Sequence, residues 1–307
     1  MKPSIVVYIP VFNSCEWASS VELPPGSDYI VFDNQSTDGT AEIFAKRGVK
    51  VIVAEGRNGR LDNWRACMMH FAQSGSEWMR WLFAGDTIKE GSSDYIREQL
   101  LTFPDTKILV GAFRNDLGEP KPQLVRAVDE ARWISPVQAC RRAASEGNWF
   151  GPPLTVCMHR DVVLSGKFQF GEFEWAADYY AAVSSTAELG CLAVPGEFGT
   201  FCGAHRKFFQ TKKNSSQARI ETQAVRFFAA RRLLQLGGLQ EEHDNLLAKI
   251  EKDAWKECFQ NLITLQRDPE YLQELAARTP VRLLLRMLPA RLLALLRKVT
   301  RRGRNRL

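Results

Sequence analysis

The chain has 307 residues, 45% hydrophobic and 25% charged, which is ordinary for a globular protein with a real core and suits one large α/β domain or one domain plus an appendage. The net charge of +6 is uneven: residues 280–307 hold nine Arg/Lys and no Asp/Glu, so the remainder carries −3, which disfavours a nucleic-acid-binding body and points the tail at something anionic. Seven cysteines at 15, 67, 140, 157, 191, 202 and 258 are irregularly spaced with no C-x-x-C, so neither a disulfide framework nor a zinc site is expected and a reducing compartment fits.

Residues 4–9 form a continuous apolar run, as in a central strand covered on both faces. No apolar h-region precedes it and no run of about 18 apolar residues exists, so neither a signal peptide nor a spanning helix is expected. Pro10-Val11-Phe12-Asn13 should end the strand, because proline removes a ladder donor. Asn13 suits a ligand contact or its own local turn. A Pro/Gly-rich loop at 21–27 leads to a second apolar run at 29–32. That run meets Asp-Asn-Gln-Ser-Thr-Asp-Gly-Thr over 33–40, where Asp38 suits the cap of a helix from about 40 to 47.

A third strand is expected at 49–53. The alternation of strands and helices is the signature of a parallel sheet, whose ligands bind at the carboxyl edge. No G-x-G-x-x-G follows the first strand, which disfavours a dinucleotide-binding domain. The polar segment 55–63 precedes a helix at 62–73. Arg57 and Arg60 are candidate phosphate contacts and Asn58 and Asn63 candidate base or ribose contacts; a solvated capping loop is the competing reading. A fourth strand at 77–83 ends in Ala84-Gly85-Asp86, where glycine permits close approach and Asp86 also suits a helix cap. A helix at 94–101, a strand at 107–113 and a long loop or lid at 114–132 follow, and a turn and strand are expected at 189–194.

The ordered set of Pro10-Val11-Phe12-Asn13, the stretch 33–40 and Ala84-Gly85-Asp86 resembles family 2 glycosyltransferases. The resemblance covers roughly 1–210 and implies a GT-A nucleotide-diphospho-sugar transferase fold, a Rossmann-like mostly parallel sheet with flanking helices. It implies nucleotide contacts from Pro10, Phe12, Asn13, Asp33, Asn34, Arg60, Asn63 and Gly85. It further implies Mn²⁺ or Mg²⁺ on Asp86 and His205, and Asp178 as catalytic base. Asp86 stands alone where the family has an Asp-x-Asp type motif, and Ala177 replaces the Glu that often precedes the base; Glu172 and Glu174 are the nearby alternative carboxylates.

These features imply an inverting transfer of a sugar from a nucleotide-sugar donor to an acceptor hydroxyl on a lipid-linked or surface glycan. The rivals are a degenerate nucleotide-sugar-binding or scaffold protein and a sugar nucleotidyltransferase; the latter needs a glycine-rich basic loop that Pro-Val-Phe-Asn does not supply. The expected division is a catalytic domain at 1–215 and a helical extension at 216–307. Within the extension, helices are expected at 216–236, 240–266 and 269–278. Val281, Leu284, Leu285, Leu288, Leu292, Leu295, Leu296 and Val299 then line one helical face beside Arg and Lys. Such a basic amphipathic segment reads as membrane-surface binding, with a docked helix as the competing reading, and gives the expectation of a cytoplasmic protein peripheral on the inner membrane.

Overall fold

A computed structural model describes residues 2–56, 58–116, 123–202 and 212–265. Arg57, His205 and the amphipathic segment at 281–299 lie outside the described residues. The first run of elements is β1 (Ile5–Val11), α1 (Cys15–Ser20), β2 (Asp28–Asp33), α2 (Thr40–Lys46), β3 (Lys50–Val53), α3 (Arg60–Gln73) and β4 (Trp78–Trp81). The chain continues through β5 (Thr87–Ile88), α4 (Ser92–Thr102), β6 (Ile108–Asp116), β7 (Gln123–Val125), β8 (Arg132–Ile134) and α5 (Pro136–Glu146). It ends, as described, with β9 (Val156–His159), α6 (Arg160–Leu164), α7 (Ala177–Leu189), β10 (Cys191–Cys202), α8 (Lys212–Gln235) and α9 (Gln240–Leu265).

The described strands form one sheet in the order β3-β2-β1-β4-β9-β6-β10-β5, with β7 on β6 and β8 on β10. The β3-β2-β1-β4 half is parallel, so these strands present their C-terminal ends on one edge. β9 is antiparallel to both β4 and β6, while β6 and β10 run parallel. All seven residues of β1 are buried, as an apolar strand covered on both faces must be. On one side Val7, Ile9 and Val11 pack with Val31, Phe44 and Leu82; elsewhere Ile5 and Trp78 pack with Ile96, Leu109, Leu192 and Phe198.

The chain divides into two compact units. The first comprises Met1–Pro136, Trp149–Gln169 and Ser184–Lys207 and holds the sheet. The second comprises Val137–Asn148, Phe170–Val183 and Phe208–Leu307, and its described elements are helical. Within the second unit, buried Arg226 ties α8 to its neighbours: Nε donates to the Ala144 carbonyl and Nη1 pairs with Asp253, both at 2.9 Å. No described helix is long and apolar enough to cross a membrane.

Three expectations about elements change. β1 runs through Pro10, which pairs with Phe32, and ends only after Val11. Asn34 N–H donates to the Val11 carbonyl and Leu82 N–H to the Tyr8 carbonyl, so even-numbered residues of β1 face β4. The β4 ladder ends at Tyr8 opposite Trp81, so the N–H that Pro10 lacks falls beyond that ladder. The segment 114–132 contains ladder: β6 extends to Asp116, β7 folds back on it, and β8 pairs with β10. The final core strand, expected at 189–194, runs for twelve residues, with register shifts between Ala193 and Gly199 that absorb Pro195 and Gly196.

Candidate functional site

The carboxyl edge is built by two loops that hold each other. Asn13 has φ +45 and Gln35 φ +59, both left-handed. Asn13 N–H donates to Ser36 Oγ and Asn13 Oδ1 accepts the Thr37 N–H, each at 2.9 Å. One step on, Ser14 N–H donates to Thr40 Oγ1 at 2.8 Å and Cys15 N–H to Asp38 Oδ2 at 2.9 Å. Asp38 Oδ1 also accepts the Thr40 N–H at 3.1 Å. The polar residues 36–40 thus fasten the β1–α1 loop to the β2–α2 loop. Burial opposes ionisation of Asp38, but bonds from the Thr40 hydroxyl and from the Cys15 and Thr40 N–H groups outweigh it and pull its pKa down to about 2. Asp38 acts across both helix starts, and the cap position of α2 itself is Gly39.

Asp33, at the end of β2 and opposite Val11, is 1% exposed. Its Oδ2 accepts the Ser36 N–H at 2.9 Å, while its Oδ1 is buried with no partner among the described residues. Asn63, 4% exposed as the fourth residue of α3, donates Nδ2 to the Phe32 carbonyl at 3.2 Å and leaves Oδ1 buried and unmatched. Two acceptor oxygens without donors are costly unless something supplies an N–H or O–H. Asn34 is engaged already: Nδ2 donates to the Asn58 carbonyl and Oδ1 accepts the Asn58 N–H, each at 2.8 Å.

Asp86 follows Gly85, whose φ of +98 only glycine adopts without strain. Its side chain is fully buried, and Oδ1 accepts the Cys202 N–H at 3.2 Å. The indole N–H of Trp17 on α1 donates to the Asp86 carbonyl at 3.2 Å, tying this turn to the segment after β1. Gly199 makes the arrangement possible, since a Cβ there would stand 2.0 Å from the Thr87 carbonyl oxygen. Among the described residues no group of three or more His, Cys, Asp or Glu is arranged to hold a metal. A hard carboxylate such as that of Asp86 suits Mg²⁺ or Mn²⁺ where substrate phosphates complete the coordination.

Arg60 opens α3 with its guanidinium 5.2 Å from the Trp64 ring centroid, and Trp64 stacks on Phe83 at 4.6 Å. The structure thus brings Pro10, Phe12, Asn13, Asp33, Asn34, Arg60, Asn63, Gly85 and Asp86 into the first unit. Asp178 belongs to the second unit, as the second residue of α7 and half-buried, while Glu172 and Glu174 are exposed. The sequence singled out neither the Trp64 platform nor the backbone N–H of Cys202. An aromatic four residues after Arg60 was the available signal for the first.

No family model matches the chain, and no curated protein matches it in sequence. Its structure is similar to that of Staphylococcus aureus TarS 1–349, with TM-score 0.62 and 14% identity over 97% of this chain and 88% of that one. The same TarS segment in complex with UDP-GlcNAc gives 0.59 at 14% identity over the same shares. This chain covers 50% of a longer TarS chain. Glucosyl-3-phosphoglycerate synthase from Mycobacterium tuberculosis, in complex with phosphoglyceric acid, gives 0.50 at 14% identity over 74% of this chain and 80% of that one. The mixed sheet and these likenesses together give the chain the GT-A fold.

Proposed function

We propose that the chain is a glycosyltransferase that moves a sugar, with inversion, from a nucleotide-sugar donor to an acceptor hydroxyl. The observation that carries this reading is Asp33 Oδ1, a buried carboxylate oxygen without a donor at the carboxyl edge of a parallel half-sheet. A nucleobase N–H is the partner it suits, with Asn63 Oδ1 as a second acceptor. Pro10, Phe12 and Asn13 would flank the base, Asn34 would hold the loop at Asn58, and Arg60 would contact phosphate. Gly85 would let the donor approach the backbone.

Asp86 would hold Mg²⁺ or Mn²⁺ together with the donor's own phosphate oxygens, with His205 as the further ligand the resemblance implies; the cation would neutralise charge on the departing diphosphate. Asp178 would accept the proton from the acceptor hydroxyl as it attacks the anomeric carbon opposite the leaving group. One base without a second nucleophilic carboxylate favours a single displacement through an oxocarbenium-like transition state. The acceptor is proposed to be lipid-linked or part of a surface glycan, brought to the enzyme by the basic segment at 281–299. The proposed domains remain 1–215 and 216–307.

A binder without turnover is the second reading, favoured by the single carboxylate at 86 with one oxygen already accepting from Cys202. The deciding experiment is calorimetry with UDP, GDP and UDP-GlcNAc, with and without Mn²⁺, followed by turnover of whatever binds. Saturable binding weakened about tenfold by Asp33→Ala, with turnover abolished by Asp178→Asn, supports the transferase. Nucleotide binding unaffected by Asp33→Ala removes the base-pocket reading, and binding without turnover leaves the binder. Flotation with anionic liposomes, comparing the full chain with one ending at Arg278, tests the membrane role; equal flotation rejects it.

A further inference from the structure

The sequence at the start of α7 offers no ordinary capping residue. Its first turn begins at Ala176, whose carbonyl accepts the Tyr180 N–H at 2.8 Å, and Glu174-Trp175-Ala176-Ala177 offers no Ser, Thr, Asp or Asn at the capping position. The acceptor comes instead from α8, within the same compact unit. Glu221, 3% exposed, takes the Trp175 N–H at 2.6 Å and the Ala176 N–H at 3.0 Å, both on Oε2. Such carboxylate–amide bonds are charge-assisted, and negative charge beside a helix start is favourable. On the far side of Asp178, the Tyr179 hydroxyl donates to the Ala143 carbonyl of α5 at 2.8 Å. The backbone around Asp178 is therefore fastened on both sides, to α8 and to α5.

We infer that Glu221 is the positioning residue for Asp178: it supplies from α8 the carboxylate that this turn lacks at Ala177, and so fixes the direction from which Asp178 takes a proton. This rests on the reading of Asp178 as catalytic base. Glu221 is not itself the base, because it is buried and its Oε2 already accepts two backbone donors. A displacement of the base by about an ångström costs on the order of a hundredfold in rate, so Glu221 should govern turnover without touching the nucleotide.

The test uses the full chain with Mn²⁺, following UDP release from UDP-GlcNAc, UDP affinity and amide hydrogen exchange over the peptide containing Trp175 and Ala176. Glu221→Ala is expected to raise exchange at these amides, lower kcat about a hundredfold and leave the UDP Kd within about twofold. Wild-type kcat in Glu221→Ala, with Asp178→Asn inactive, overturns the positioning role and leaves the base assignment standing. Turnover retained by Asp178→Asn removes the base and the inference together. Should Glu221→Ala not fold, Glu221→Gln decides, since its carbonyl oxygen can accept both amides. Turnover within about tenfold of wild type supports positioning. A loss as complete as in Asp178→Asn overturns it, because the carboxylate itself would then be reacting.

Discussion

Asn34 and Asn58 hold each other by a reciprocal pair of hydrogen bonds, the Asn34 amide donating to the Asn58 carbonyl and accepting the Asn58 N–H, each at 2.8 Å. A side chain at the end of one strand thereby fixes the loop that leads into α3, and with it the starting position of Arg60. Asn34→Ala removes both bonds and should destabilise the fold by about 1–3 kcal/mol. Asn34→Asp keeps the acceptor but turns a carboxylate oxygen towards a carbonyl, so it should be no better. Thermal unfolding measures the stability, and calorimetry with UDP should show weaker binding in both variants.

Asp33→Asn separates stability from binding. The wild-type side chain places an acceptor without a donor in a buried site, an arrangement that costs the unliganded protein. A neutral amide at 33 keeps an acceptor for the Ser36 N–H, so the Tm should hold or rise while nucleotide affinity falls about tenfold. A lower Tm with unchanged affinity would show Asp33 to be structural.

Asp38 predicts a pH dependence. Its pKa is held down at about 2, below the ordinary 3.8. A depressed carboxylate contributes stability that is fully present above the unfolded value and is lost as pH falls through the folded value. Acid titration of the wild type should therefore show a stability loss between about pH 4 and pH 2 that is missing in Asp38→Asn. That variant should already be less stable at neutral pH. Identical acid-unfolding curves would contradict this assignment.

Gly199→Ala tests the support behind Asp86. Its Cβ would collide with the Thr87 carbonyl oxygen, which belongs to backbone, so β5 and β10 must part. The cost should be about 1–3 kcal/mol by thermal unfolding. The Mn²⁺-dependent part of UDP binding should fall more than the part measured in EDTA. Loss of both parts equally would detach Asp86 from the metal.

The parallel half of the sheet was legible because uninterrupted apolar runs at 4–9 and 29–32 have few alternatives to a doubly covered strand. Asp33 and Gly85-Asp86 were legible as polar breaks at strand ends. What escaped has a common origin in contacts distant along the chain. Glu221 meets Trp175 across 46 residues, and nothing in either segment marks the other. The length of β10 was hidden by Pro195-Gly196, which reads as a turn and is absorbed by irregular register. β7 and β8 were hidden by their length, three residues each, amid mixed charge, and they lie outside the main run of the sheet. Pro10 misled through a local rule, since the missing donor matters only where a ladder continues.

The bonds joining Asn13, Ser14 and Cys15 to residues 36–40 have a consequence for how this edge opens. Each links a loop after β1 to the loop after its neighbour β2, and those strands pair from Val6 to Val11. Neither loop is able to fray alone, because release of one breaks bonds of the other. The rim should therefore exchange its amide hydrogens with the slow, shared rate of the central strands rather than with the fast, scattered rates of surface loops, and melt as part of the same cooperative unit.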